Sequence, residues 1–171
     1  MDPETICRLG EGDVAEWHGL PAEHLSSALL PQCLGPVVTS DLRGFVLGTY
    51  RVDRHEPASG SRVDVYSWPG DDRVTIVDAW LEPPLDVARL LERLPATALT
   101  YRYRAVEREL WGVSAYVDAV VEEMVWGSRG LALIIVRAHS GGAVVRVRGF
   151  QPMASSLWID GFVKFDAIPE T

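Results

Sequence analysis

The chain has 171 residues, 47% of them hydrophobic and 23% charged, a composition typical of a folded globular protein of one domain. Its formal net charge of −8 argues against a nucleic-acid partner, because binding nucleic acid requires clustered cations. Lys164 is the single lysine, and this preference for arginine indicates a GC-rich bacterial source.

The N-terminus and the cysteines bear on location. Met1 to Glu4 is acidic and does not resemble a secretory signal, and the longest apolar run, Leu131 to Val136, is too short to cross a bilayer. We therefore expect a cytoplasmic protein that does not bind membranes. Cys7 and Cys33 lack C-x-x-C spacing, which favours two reduced thiols and leaves a single disulfide as the alternative.

The first half of the chain predicts one helix and a hairpin. Leu25, Ala28 and Leu29 recur at helical spacing in a helix that begins at Pro21 and ends before Gly35. The predicted extended segments that follow are Phe45 to Val52, Val63 to Trp68 and Arg73 to Leu81, the last two joined by the turn Pro69-Gly70-Asp71-Asp72.

The second half predicts a helix followed by strands. Asp86 caps a helix whose apolar positions, Val87 to Leu94, follow a spacing of three and four. The strands expected after it are Ala98 to Val106, Glu122 to Trp126, Leu131 to Val136 and Ala143 to Phe150, with a turn at Ser140-Gly141-Gly142. Residues 110–121 are ambiguous, and Ser155 to Lys164 predicts a short helix or strand.

The two halves resemble each other, since each has a helix with a Leu-Leu pair before a hairpin. We therefore predict an α+β fold with a largely antiparallel sheet, built from two similar helix-plus-hairpin units at about residues 13–83 and 84–152. The helices are expected on one face of the sheet. Residues 153–171 form a C-terminal segment, and the whole chain, 1–171, is one domain.

A family resemblance rests on short motifs in both halves. The motifs are Gly19-Leu20-Pro21, Leu29-Leu30 and Leu34-Gly35-Pro36, then Leu90-Leu91, Leu94-Pro95, Met124-Val125-Trp126 and Gly142-Ala143-Val144. They are similar to the tandem helix-plus-sheet repeats of the β-lactamase inhibitory protein and of small lipoproteins of outer-membrane assembly. Pro21 stands where that family has a Thr cap. The resemblance implies a concave sheet face that binds a partner protein, with no chemistry.

No recognisable catalytic, phosphate-binding or metal-binding motif is present. The four histidines, His18, His24, His55 and His139, are scattered, which predicts surface positions and no metal site. Glu122 and Glu123 would face opposite ways on a strand, and the default for both is a solvated face. We expect no cofactor.

The chain has six tryptophans, a high number for its length. They are informative because Trp concentrates in cores, pockets and interfaces. Alternation along Ala143 to Phe150 places two arginines and a phenylalanine on a face that helices are not expected to cover. The residues predicted to bind are Tyr66, Trp68, Trp80, Trp126, Arg146, Arg148 and Phe150. The alternative is that the aromatic residues close a core under a terminal segment, with Trp158 and Phe162 as cover.

The favoured interpretation is a non-enzymatic binding module, such as an inhibitor or accessory protein, that contacts a basic protein partner through this open face. The alternative is a small-molecule binder or a cofactor-free enzyme of the cyclase or isomerase type, with the same residues lining a pocket for a small hydrophobic ligand. A third interpretation is a structural subunit that dimerises through an exposed sheet edge or face.

Overall fold

The structure, a computed structural model, describes residues 3–23, 25–45, 48–96, 98–104, 120–138, 141–163 and 168–169. Its helices are α1 (Pro3–Gly10), α2 (Pro31–Leu34), α3 (Val87–Leu91) and α4 (Ser155–Trp158), with 3-10 turns at Ser27–Leu29 and Gly127–Arg129 and a π-turn at Ile159–Val163. Its strands are β1 (Val37–Phe45), β2 (Gly48–His55), β3 (Arg62–Ser67), β4 (Val74–Asp86), β5 (Leu99–Arg104), β6 (Val120–Trp126), β7 (Leu131–Ala138), β8 (Gly141–Phe150) and β9 (Ile168–Pro169).

All these strands join one sheet in the order β1-β2-β3-β4-β8-β7-β6-β5-β9, and every neighbouring pair is antiparallel. The strands β1 to β4 follow one another as a meander, and β5 to β8 follow as a second one. The two meanders meet at the β4–β8 pair. The predicted α+β class with an antiparallel sheet is therefore confirmed.

Each face of the sheet carries its own apolar cluster, because side chains alternate along a strand. The first face, with Val63, Val77 and Leu133, packs against α1, α2, α3 and the segment between α1 and α2. The second face, with Ile134 and Phe150, packs against the C-terminal segment. The prediction that helices lie on one face only is therefore wrong, since α4 and the π-turn cover the other.

Trp17 is one of the residues that hold the N-terminal segment against the first face. The Trp17 indole Nε1 donates a hydrogen bond to the Gly130 carbonyl oxygen at 2.9 Å, and the Arg129 guanidinium donates to the Trp17 carbonyl oxygen at 2.7 Å. Gly149 on β8 lacks a side chain where the Trp17 ring packs, and a Cβ at that position would overlap the ring. Contacts between residues far apart in sequence thus complete the apolar cluster of the first face.

Cys7 of α1 and Cys33 of α2 form a disulfide, with their Cα atoms 6.1 Å apart. The interpretation as two reduced thiols is therefore wrong. The two cysteines are 26 residues apart in sequence, and they meet because the fold places α1 beside α2. No local sequence pattern predicts such a contact.

Several predicted elements are confirmed with shifted bounds, including the β3–β4 hairpin, α3, β5, β6, β7 and β8. The helix predicted from Pro21 is wrong, since only a 3-10 turn and the short α2 form there, and Ser26 caps the turn by accepting from the Ala28 amide. The sequence analysis missed α1 and most of β1. The turn at Ser140, most of the ambiguous stretch 110–121, His24 and His139 lie outside the described residues.

Within the described part of the chain, no helix has the length and apolar character needed to span a membrane.

Candidate functional site

The pairing of β4 with β8 brings together most of the residues predicted to bind. Trp80 lies opposite Arg146, and Ile76 lies opposite Phe150. Asp78 lies opposite Arg148, and Tyr66 on β3 lies opposite Ile76. Together they form a patch of aromatic and charged side chains on the second face of the sheet, which we call the ionic face; it also includes Arg54, Arg62, Asp64 and Glu123.

The two arginines of β8 are neutralised inside the molecule. Arg146 Nε donates to Asp78 Oδ1 at 2.7 Å, and Arg148 Nε donates to Asp78 Oδ2 at 3.3 Å. Arg148 Nη1 also lies 3.3 Å from both carboxylate oxygens of Glu123. Asp78 and Glu123 are almost completely buried, so their charges are compensated by these guanidinium groups and not by water.

The ion pairs shift the pKa values of Asp78 and Arg148. Burial alone would raise the pKa of Asp78, but the guanidinium groups of Arg146 and Arg148 outweigh burial and lower it. Burial disfavours the charge on Arg148, yet the carboxylates of Glu123 and Asp78 raise the pKa of that guanidinium. Asp78 therefore stays ionised near neutral pH and is unsuited to donate a proton as a general acid.

Trp80 lies between two guanidinium groups. The Arg146 Cζ atom is 3.8 Å from the indole centroid, and the Arg62 Cζ atom is 4.7 Å from it. Arg62 Nε in turn donates to Asp64 at 3.1 Å, and Arg54 Nε donates to the same carboxylate at 3.1 Å. The charged network thus extends from β8 across β4 to β3 and β2, with the indole as a cation–π contact within it.

The C-terminal segment covers this face. The Trp158 ring stacks on Phe150 with the ring centroids 3.7 Å apart and on Phe162 at 4.5 Å. The Trp158 indole Nε1 donates to Glu123 Oε1 at 2.9 Å. Phe150 and Glu123 are buried beneath it, and Tyr66, Trp80, Arg146 and most of Arg148 are buried as well. The expected open face is wrong for these side chains, and the alternative, in which Trp158 and Phe162 close a core, describes the structure.

The other two predicted binding residues lie elsewhere. Trp126 packs in the apolar cluster of the first face, and its indole Nε1 donates to the Pro95 carbonyl oxygen at 2.8 Å. Trp68 lies toward the end of the second cluster, half-buried and stacked on Tyr50 with the ring centroids 4.5 Å apart. The seven predicted residues therefore do not converge on one surface, and their role in binding stays a prediction.

The remaining candidates for chemistry are structural. His55 is buried, not exposed as expected, and its Nδ1 lies 2.8 Å from the Gly35 carbonyl oxygen. Glu122 and Glu123 face opposite ways as predicted, but both are buried, not solvated, and Glu122 accepts from Arg102 Nε at 2.7 Å. His18 is exposed. Among the described residues, no three His, Cys, Asp or Glu side chains cluster as a metal site would require.

A groove of about 430 Å³ lies between the end of α1 and α3, away from the aromatic residues. Charged side chains dominate its lining, among them Glu11, Asp13, Asp86 and Arg93. A small-molecule binder is expected to have an enclosed pocket with aromatic walls, and this groove has no aromatic residue among the described residues that line it.

Strand β1, most of which the sequence analysis missed, has mostly exposed side chains from Val37 to Gly44. It lies at one end of the strand order, and β2 is its one neighbour among the described strands. From Val37 to Gly44 every side chain is exposed except that of Arg43, which is half-buried. The backbone N–H and C=O groups on the outer side of such a strand can pair with another extended chain.

The side chains of β1 are suited to a cross-strand contact. Leu42 is 67% exposed, which is the largest exposed fraction among the large hydrophobic residues of the described chain, and Val38 is 53% exposed. Asp41 and Arg43 flank Leu42 and point to the opposite face, because alternate side chains of a strand do so. Within the described residues neither Asp41 nor Arg43 has an ion-pair partner.

A signal for this strand was present in the sequence. Val37, Val38 and Thr39 are β-branched and follow Gly35-Pro36, a combination that is typical of a strand starting after a turn. The alternation of polar and apolar residues that is typical of a half-buried strand is absent, and from Val37 to Gly44 neither face of β1 is buried.

Comparison of the chain with protein-family models, with curated proteins and with solved structures finds no match. The resemblance to the tandem-repeat inhibitor family therefore stays a prediction, and any argument for function has to come from the geometry of the chain itself.

Proposed function

We propose that this chain is a non-enzymatic protein-interaction module that binds an extended segment of its partner along the outer edge of β1. The observation that carries the proposal is the exposure of β1, a nine-residue strand with its outer edge unpaired among the described residues. Main-chain hydrogen bonds to such an edge supply affinity, and the side chains on either face supply selectivity.

The binding surface differs from the one that the sequence predicts. The arginines of the ionic face are bound to buried carboxylates, and Phe150 and Glu123 are in contact with Trp158, so a partner would have to break ion pairs or displace the C-terminal segment to reach them. The β1 edge needs no such rearrangement. A preformed surface binds without the ordering cost that a rearrangement adds, which favours the edge over the face.

The non-enzymatic part of the proposal draws support from the same ion pairs. The buried carboxylates of Asp78 and Glu123 are the natural candidates for acid or base chemistry, and each is bound by an arginine. A carboxylate held by an arginine is occupied by that contact, and the lowered pKa of Asp78 makes it a poor proton donor.

Two finer expectations belong to this proposal. We propose that the two meanders descend from one repeated helix-plus-hairpin unit, as the similar Leu-Leu motifs indicate. The resemblance to the inhibitor family has the same implication, namely a partner protein and no chemistry. The cytoplasmic location and the bacterial source stay predictions.

The test places a photo-crosslinking amino acid at Leu42 and, in a control variant, at Leu157, which is exposed to a similar degree but lies on α4. Both variants are expressed in the native host and irradiated. We expect covalent protein adducts from position 42 that are absent or much weaker from position 157. Adducts at position 157 without adducts at position 42 would refute the β1 edge as the binding surface.

A further inference from the structure

The sequence of β1 is complementary to itself in one antiparallel register. If two copies pair with the two-fold axis at Leu42, Asp41 of one copy lies opposite Arg43 of the other, and Arg43 lies opposite Asp41. The same register places Leu42 opposite Leu42 and Ser40 opposite Gly44. Every one of these pairs is compatible with close approach, and two of them join opposite charges.

This arrangement is unlike a protected edge. Edge strands that must stay unpaired carry like charges, lysines or inward-pointing charges that repel a second copy. In β1 the two opposite charges lie two residues apart and on one face of the strand, so they attract a second copy in the antiparallel register. A bulge against β2 between Val37 and Thr39 is a feature that can discourage edge pairing. It lies at the end of β1 that is farther from Leu42.

We propose that the partner of the β1 edge is a second copy of this chain, in a symmetric antiparallel pair centred on Leu42. The proposal rests on the proposed function and names its partner. The dimer would join the two sheets into one continuous sheet and bury the two Leu42 side chains against each other on the first face. The two Asp41–Arg43 ion pairs would form on the second face.

The affinity of such a dimer should be modest. Pairing one strand from each copy buries less than the roughly 1,200 Å² that stable complexes commonly bury. The net charge of −8 on each copy opposes association as well, although salt screens most of this repulsion beyond about 8 Å at physiological ionic strength. We therefore expect a reversible equilibrium with a dissociation constant on the order of micromolar.

A charge-swap experiment tests the register directly by sedimentation equilibrium over a concentration series. Arg43→Asp places two aspartates opposite each other at both ends of the Leu42 pair, and Asp41→Arg places two arginines there. Each single variant should dissociate about tenfold more readily than the wild type or not dimerise measurably. The double variant Asp41→Arg, Arg43→Asp restores both ion pairs in reversed order and should recover the wild-type dimer.

Two further variants control for net charge and for folding. Arg93→Asp, on the exposed surface after α3, changes the net charge as Arg43→Asp does and should leave the dimer intact. Leu42→Asp should prevent the dimer by placing two carboxylates at the centre of the pair. The thermal unfolding midpoint of each variant, measured in dilute solution, should match that of the wild type, because these positions contribute little to the core of one copy.

A wild-type chain that remains monomeric, or a dimer that the single charge variants do not weaken, would overturn the inference. In that case crosslinking from position 42 to a different protein would leave the proposed function standing. Absence of any protein adduct at that position would remove the proposed function separately.

Discussion

Asp78 is the residue on which the second face of the sheet depends most. It accepts from Arg146 and Arg148 while almost no solvent reaches it. A buried ion pair adds little compared with a well-packed apolar pair, but removal of one partner leaves an uncompensated charge in a medium of low polarity. The consequence should be visible in unfolding free energies.

We predict that Asp78→Leu lowers the free energy of unfolding by about 3–5 kcal/mol, because Arg146 is left without its carboxylate. The double variant Asp78→Leu, Arg146→Met should recover a large part of this loss, since it removes both charges and leaves Arg148 with Glu123. Urea denaturation measures both, with the exposed Glu56→Leu as control. A double variant no more stable than the single one would contradict the account.

Tyr66 should determine stability at high pH. Burial, followed by the nearby carboxylate of Asp78, raises the pKa of Tyr66 to about 12 from its ordinary value of 10.0, although Arg146 and Arg148 oppose this shift. Because the unfolded chain loses this proton first, the stability contributed by neutral Tyr66 is complete below pH 10 and is lost as the pH rises through 12.

We predict that the wild type loses about 2 kcal/mol more unfolding free energy than Tyr66→Phe between pH 10 and pH 12. The measurement is chemical denaturation of both proteins across that range. Parallel pH profiles for the two proteins would show that Tyr66 ionises equally easily in the folded and unfolded states.

At the scale of elements, the C-terminal segment packs on the second face of the sheet and covers part of it. Trp158 contacts Phe150, Phe162 and Glu123 from an α4 of four residues, which is too short to be stable by itself. Its packing, and not its helix propensity, therefore holds it against the sheet.

Replacement of Trp158 by alanine should cost about 3–5 kcal/mol of unfolding free energy, as large-to-small changes at fully buried aromatic residues do. The adjacent Leu157 is 51% exposed, and Leu157→Ala should change stability by no more than about 0.5 kcal/mol. Denaturant unfolding of the pair gives the comparison. Equal effects would mean that the segment does not pack as described.

The disulfide is the covalent link between α1 and α2. Reduction, or the double variant Cys7→Ser, Cys33→Ser, should lower stability by about 3 kcal/mol, because the link closes a loop of 26 residues in the unfolded chain. The double variant should not respond to dithiothreitol. Thiol trapping and mass spectrometry on protein from its host would show whether the link exists there; cytosolic thiols are kept reduced, so an intact link would count against the expected cytoplasmic location.

The sequence predicted the elements whose signals come from neighbouring residues, and it did not predict contacts between distant segments. The β3–β4 turn at Pro69-Gly70 and the cap of α3 at Asp86 depend on neighbouring residues, and both are found. The cover by Trp158 and the Cys7–Cys33 link depend on contacts between distant segments, which no local pattern encodes. The grouping of Trp80, Arg146 and Arg148 followed from strand alternation, but strand alternation alone does not show whether that face is covered, and these side chains are buried.

At the scale of the whole molecule, both faces of the sheet are occupied and β1 remains as the exposed edge described here. Ordering a strand costs conformational entropy, yet from Val37 to Gly44 the side chains of β1 belong to neither apolar cluster. Binding of a partner along β1 would offset this cost. The opposite charges of Asp41 and Arg43 favour a partner with the same pattern in reverse, which a second copy supplies.

Hydrogen exchange along β1 tests this account most directly. The measurement compares amide exchange rates from Val38 to Gly44 in dilute, monomeric protein with those in the concentrated, associated protein. The account predicts that alternate β1 amides, those on the outer edge, exchange rapidly in the monomer and slow markedly on association, while amides of the central strands β4 and β8 are slow in both states. Association that leaves every β1 amide at its monomer rate would contradict it.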